Sequence, residues 1–355
     1  MRQLKTNARL NGSIELLRFI SAYYIAIEHF TLKWPGGLPV VDTFFLLAGY
    51  FQMRHMMRSE DFSPFRYTWQ RFAGMAFLYE SSIVLLNLFG EAGISLRSFV
   101  GGMYRSIPDM FCLQMSGLSE LHVNSPLWFV AGMMIAGMFL ALLFAMNRKV
   151  FTYALPMIAI LGYASIFHLQ GDMDATYYPN FAYPATYVVP LGTVRALAGM
   201  AVGCMMHLFV ESHGEMLADR KNMPLLTVTE VVTGVIIMYG FLFNHHNHSD
   251  FIYVILLPIF LVCVCSRNTL WGPLTNRAGQ VLEAVFGRQY TLAVFCLQIF
   301  AIRVYQMIFG KAFEGRLGIA VLVYAVILTV ISVVFTRLAD VFNKKVLSPS
   351  LSPRN

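Results

Sequence analysis

The stretch "ELLRFISAYYIAIEHF", Glu15 to Phe30, decides the fold. Its apolar density is that of a membrane-spanning helix, yet it keeps Arg18, Glu28 and His29. A charge at mid-bilayer costs roughly 2.5–3.5 kcal/mol on insertion scales, so such residues face a partner or a polar cavity within a bundle. Arg18 and His29 are eleven positions apart. At about 100° per residue that is ~20° past three whole turns, so the two share one face, about 16 Å apart along the axis. Asp42 opens the next apolar run and is expected at a similar depth to His29. A carboxylate there fixes a histidine tautomer and suits a general base acting on a hydroxyl. Spacing alone leaves a structural alternative, with Arg18 snorkelling to headgroups and His29 at the interface.

The rest of the chain agrees with the membrane reading. Of 355 residues, 57% are hydrophobic and 13% charged, whereas soluble domains carry about a quarter charged residues. Ten runs are long enough to span a bilayer, near 14–33, 38–57, 72–90, 127–146, 150–167, 191–210, 225–243, 251–265, 290–309 and 316–336. With the N-terminus inside, 18 Lys and Arg fall in inside segments and 5 in outside segments, the asymmetry of a positive-inside topology. The expected fold is therefore all-α, a polytopic membrane protein of about ten transmembrane helices with both termini cytoplasmic. Residues 1–340 form the membrane domain and 341–355 a cytoplasmic tail. The first run has no small-residue cleavage site after it and is expected to be a retained helix.

The net charge of +7 does not point to nucleic acid, because the basic residues sit in short loops between apolar runs. Five scattered cysteines match no metal or redox spacing. His245, His246 and His248 form a short cluster, expected to be solvated, and no metal site is expected. The outside segment 91–126 is expected to lie along the membrane or re-enter the protein, and 168–190 is rich in Tyr and Pro. Nine ionisable residues lie within runs: Arg18, Glu28, His29, Asp42, Glu80, Arg195, His207, Glu230 and Arg303. That is more than an anchor needs and implies an internal polar cavity. A transporter or flippase of a glycan or lipid also fits intramembrane charge. The chain shows no repeated halves of the kind many transporters have.

Five motifs resemble the acyltransferase-3 family of bacterial integral membrane acyltransferases. They are the Arg18–His29 spacing, "VVDTFFLLAGYF" (Val40 to Phe51), "FRYTWQRF" after the second run, "SPLWF" (Ser125 to Phe129) and "FGRQYTLAVFCLQ" (Phe286 to Gln298). The chain departs from the family pattern at Ala48, usually Ser; at Gly74, where a second arginine follows Arg71; and at Gln298, where a late histidine stands. The resemblance implies an enzyme of the bacterial cytoplasmic membrane. It would move an acyl group, first of all acetyl, from cytosolic acyl-CoA to a hydroxyl of a cell-envelope glycan or its lipid-linked precursor. No cofactor is held tightly; acyl-CoA, the saccharide acceptor and membrane lipids are the partners. In that scheme His29 is the base, Asp42 or Glu28 its orienting group, and Arg18, Arg66 and Arg71 the donor contacts. Arg195 stabilises charge or binds acceptor, or else pairs internally with Glu230 or Glu80. Trp128 stacks on sugar or adenine, or else anchors a helix end.

Overall fold

A computed structural model of the chain describes residues 11–32, 37–89, 95–116, 123–171, 173, 190–243 and 248–347. Among them all regular structure is helical. Local sequence sets the helix ends. Asn11 accepts from the Ser13 amide at 3.1 Å and starts α1 (Gly12–Thr31). After α2 (Gly37–Arg58), Ser63 caps α3 (Pro64–Leu88), with proline in the first turn where its missing N–H costs nothing. Asn147 alone separates α6 (Trp128–Met146) from α7 (Arg148–Gln170) and accepts from the Lys149 and Val150 amides. Gly171, at φ 79°, ends α7 in the left-handed conformation that glycine adopts freely.

Between α3 and α6 lie the short helices α4 (Leu96–Arg105) and α5 (Ile107–Met110). Beyond α7 follow α8 (Leu191–Ser212), α9 (Gly214–Ala218), α10 (Met223–Phe243), α11 (Tyr253–Ser266), α12 (Gly272–Phe286), α13 (Tyr290–Phe309) and α14 (Leu317–Phe342). Seven helical stretches among the described residues are long and apolar enough to cross a membrane: Ser125–Met146, Arg148–Gln170, Leu191–Ser212, Arg220–Phe243, Ser249–Ser266, Tyr290–Phe309 and Leu317–Lys345. The protein is thus an all-α polytopic membrane protein. The other three expected spans are α1, α2 and α3, of 20, 22 and 25 residues. Their intramembrane Arg, Asp, Glu and His lower their mean hydropathy, which is where the site residues are concentrated. α14 runs past residue 340, the expected edge of the membrane domain, into a π-helical turn at Asn343–Leu347.

Two packing contacts position the site. A side chain on Gly49 would strike the Met200 carbonyl, and one on Gly203 would strike the Leu46 carbonyl. α2 and α8 therefore meet backbone to backbone, the small-residue packing that membrane helices use in place of a hydrophobic drive. α1 is fixed at its start by the Gly12 amide, which donates to Asn276 Oδ1 of α12 at 2.8 Å. At its other end Phe30 stacks on Tyr324 of α14, rings 4.4 Å apart. The segment between α3 and α6 has an exposed part and a buried part. Leu96, Val100 and Tyr104 leave an apolar face of α4 exposed, while Asp109, Gln114 and Met115 are buried against the bundle. Tyr79 donates its hydroxyl to this segment, and Asn124 donates to Ser82 Oγ and the Cys296 carbonyl, at 3.0 and 2.9 Å. These bonds fix where α6 begins.

Candidate active site

His29 lies in the last turn of α1, half-buried. Its Nδ1 is 2.9 Å from Oε1 of Gln298 on α13. Gln298 is fully buried, and its Nε2 donates to the Phe295 carbonyl at 2.9 Å. That second bond fixes which end of the amide faces the histidine. An amide oxygen only accepts, so the proton sits on Nδ1 and the Nε2 lone pair is left available as a base. The position expected for Asp42 or Glu28 at Nδ1 is held by Gln298. In the sequence Gln298 stood out as a departure incapable of acid chemistry, and its role here is to accept.

Asp42 faces elsewhere, because it shares a face of α2 with Leu46 and Gly49, at steps of four and three. That face lies on α8. There Arg195 donates from Nε to Asp42 Oδ1 at 3.1 Å and from Nη2 to Oδ2 at 2.8 Å. Both side chains are buried, at 2% and 0% exposed. This bidentate pairing uses both carboxylate oxygens. Arg195 accordingly pairs with Asp42 across the bundle, where the sequence reading had offered Glu230 or Glu80 as internal partners. Trp128 is 8% exposed and packs edge-on to Phe45 at 6.1 Å, so its ring faces are covered by the chain itself rather than open for stacking.

A cavity of about 540 Å³ opens on another face of α2, in the size range of small-molecule sites. α2 lines it with Phe44, Ala48, Phe51 and His55, again one face; α3 contributes Tyr67, Gln70, Arg71 and Gly74; α1 contributes Arg18; α6 and α13 contribute Phe129 and Phe295, and Gln289 lies just before α13. Its polar residues lie where α2 ends and α3 begins. Arg71 donates to the Tyr67 hydroxyl at 2.8 Å and lies over that ring, 5.6 Å from its centre. His55 stacks on Tyr67 at 4.9 Å. Arg18 is paired with Glu15 at 2.9 Å, one turn back on α1. Arg66 does not line the cavity; it is exposed and donates to the Asp61 carbonyl at 3.0 Å. At Gly74 an added Cβ would meet nothing within 4 Å, so the missing second arginine leaves open space in the cavity wall. Gln289 donates to the Gly74 carbonyl at 2.6 Å.

A family model described as an acyltransferase domain matches residues 11–338, nearly the whole chain. The protein belongs to the acyltransferase-3 family. No curated protein and no solved structure gives a significant match. The acyltransferase carries Arg18 and His29 on one face of α1, as their spacing requires, but no polar track joins them. Ala22 and Ile25 fill that face between them at 1% and 2% exposed, and His29 does not line the cavity. Among the described residues no group of three His, Cys, Asp or Glu side chains is placed to hold a metal. His245, His246 and most of the Tyr-rich loop, residues 174–189, lie outside the described residues.

Proposed function

We propose that this membrane acyltransferase takes an acyl group, acetyl in the first instance, from cytosolic acyl-CoA. It passes the group to a hydroxyl of a bacterial cell-envelope glycan or its lipid-linked precursor. The observation that carries this reading is the His29–Gln298 pair, which leaves a half-buried imidazole with its Nε2 lone pair available. Such a group is suited to proton transfer from a hydroxyl.

In this mechanism the CoA moiety enters the cavity from the cytosol, with Arg71 and Arg18 as cationic contacts for its phosphates and thioester arm. Arg66, exposed at the rim of the same helix, acts in capture at most. The acceptor reaches His29 from the opposite side. Nε2 removes the hydroxyl proton as the oxygen attacks the thioester carbonyl. The tetrahedral intermediate collapses, the carbon–sulfur bond breaks, and the imidazolium returns the proton to the departing CoA thiolate. Ester and free CoA are the products, and the imidazole is restored. Gln298 holds the tautomer through the cycle. The Asp42–Arg195 pair is a positioning element, holding α2 on α8 and thereby Phe44 and His55 in the cavity wall.

The test is mass spectrometry of envelope glycans from a strain lacking the protein, complemented with the parent chain or with His29→Ala. An acyl mass lost from one sugar, restored by the parent and not by His29→Ala, is the expected result. Glycans of unchanged mass in the deletion strain would refute the acceptor class.

A further inference from the structure

Resting on the acyl-CoA reading of the cavity, we propose that Phe44, Phe129 and Phe295 form a side-chain gate between the cavity and His29. The gate is closed in this structure and parted by the entering thioester arm. The three rings come from α2, α6 and α13; Phe129 meets the other two edge to face, and Phe44 and Phe295 are tilted to each other. Phe44 and Phe129 are 5.6 Å apart at 62°, Phe129 and Phe295 5.3 Å at 63°, and Phe44 and Phe295 6.3 Å at 56°. All three line the cavity, Phe44 and Phe129 as the first lining residues of α2 and α6 and Phe295 as the last of α13. Phe129 is in the first turn of α6 and Phe44 near the start of α2, whereas His55 and Arg71 sit where α2 ends and α3 starts. Along α1 the same barrier continues as Ile25, buried between Arg18 and His29. Apolar side chains therefore lie between the donor cavity and the base.

Three features fit a gate better than a permanent wall. The rings come from three separate helices and meet only through side-chain contacts beside the cavity, so side-chain movement is enough to part them. A reactive thioester beside an activated imidazole hydrolyses if water follows it, so a barrier that closes around a slender chain protects the donor. Phe295 lies one turn before Gln298, and its carbonyl receives the Gln298 amide. Movement of the ring and the orientation of His29 are thus coupled on one turn of α13.

The experiment reads access, independently of catalysis. Gly74→Cys reports which face of sealed, oriented vesicles the cavity opens to, because that position has open space around it. His29→Cys then reports access to the base, using a small membrane-impermeant methanethiosulfonate applied to one face at a time. Labelling of the native cysteines, four of them buried, is subtracted using the parent chain. With the three rings intact, His29→Cys resists the reagent from the Gly74 face. Adding Phe295→Ala raises its labelling from that face by about tenfold or more, and the same substitution in the His29 chain raises acceptor-free acyl-CoA hydrolysis by a similar factor. If Phe295→Ala does not fold, Phe44→Leu and Phe129→Leu make the same comparison. Equal labelling of His29→Cys from the Gly74 face with and without the substitutions overturns the gate. Labelling that responds while the hydrolysis does not would leave the gate standing and count against the donor reading instead.

Discussion

Replacing Gln298 with Met tests the chemistry at its least obvious point. Methionine is close to glutamine in length and volume, so α13 should keep its packing. What it removes is the oxygen 2.9 Å from His29 Nδ1 and the amide that donates to the Phe295 carbonyl. The first loss matters. Without an acceptor, the buried Nδ1–H is unsatisfied, at a cost of about 1–3 kcal/mol. The neutral ring escapes that cost by moving its proton to Nε2, where it can no longer serve as the base. If the tautomer preference falls by ~1–2 kcal/mol, the productive population falls about 5- to 30-fold. The Gln298→Met variant should therefore show kcat lowered by that factor, with KM for acyl-CoA unchanged, because the cavity residues are untouched. Steady-state release of free CoA in the presence of acceptor measures both. An unchanged kcat in folded protein would refute the role assigned to Gln298, and a change confined to KM would place Gln298 in donor binding.

Asp42→Asn should destabilise the fold by about 3–5 kcal/mol, because it removes the carboxylate charge paired with the fully buried Arg195. The double variant Asp42→Leu with Arg195→Met should recover part of that loss, measured as thermal unfolding in detergent, and no recovery would argue that the pair acts beyond structure. Arg71→Gln should raise KM for acyl-CoA about 10- to 100-fold, the worth of a charge-assisted contact, whereas Arg66→Gln, outside the cavity, should change it by less than about threefold. Equal effects at the two positions would contradict the assignment of the cavity to the donor. Gly203→Leu should abolish folded protein, because its side chain would displace the Leu46 carbonyl and separate α2 from α8.

Hydropathy made the membrane fold legible, and an eleven-residue spacing placed Arg18 and His29 on one face. The partners were less legible. Asp42 was placed by depth, but depth says nothing about which way a side chain turns. Its step of seven to Gly49 would have told more, since Gly49 marks where another helix comes closest. Arg195 finds Asp42 across 153 positions, a distance at which no periodicity operates. Gln298 carried a readable signal: an amide midway along an apolar membrane helix needs a partner, because the bilayer supplies none. Trp128 looked like an interfacial or stacking ring, and became core because the segment before α6 folds back against α3. The gap between Arg18 and His29 was invisible in the sequence, because Ala22 and Ile25 read as ordinary membrane residues until their neighbours are known.

Acyl transfer by the purified chain in liposomes tests the central claim most directly. Acyl-CoA labelled in the acyl carbon would be supplied with a membrane glycan fraction, and label in the glycan followed together with free CoA. The account predicts the two to rise in equal amounts with the parent chain and to stop with His29→Ala. Label that stays on CoA with the folded parent chain, or transfer at the parent rate with His29→Ala, would contradict it.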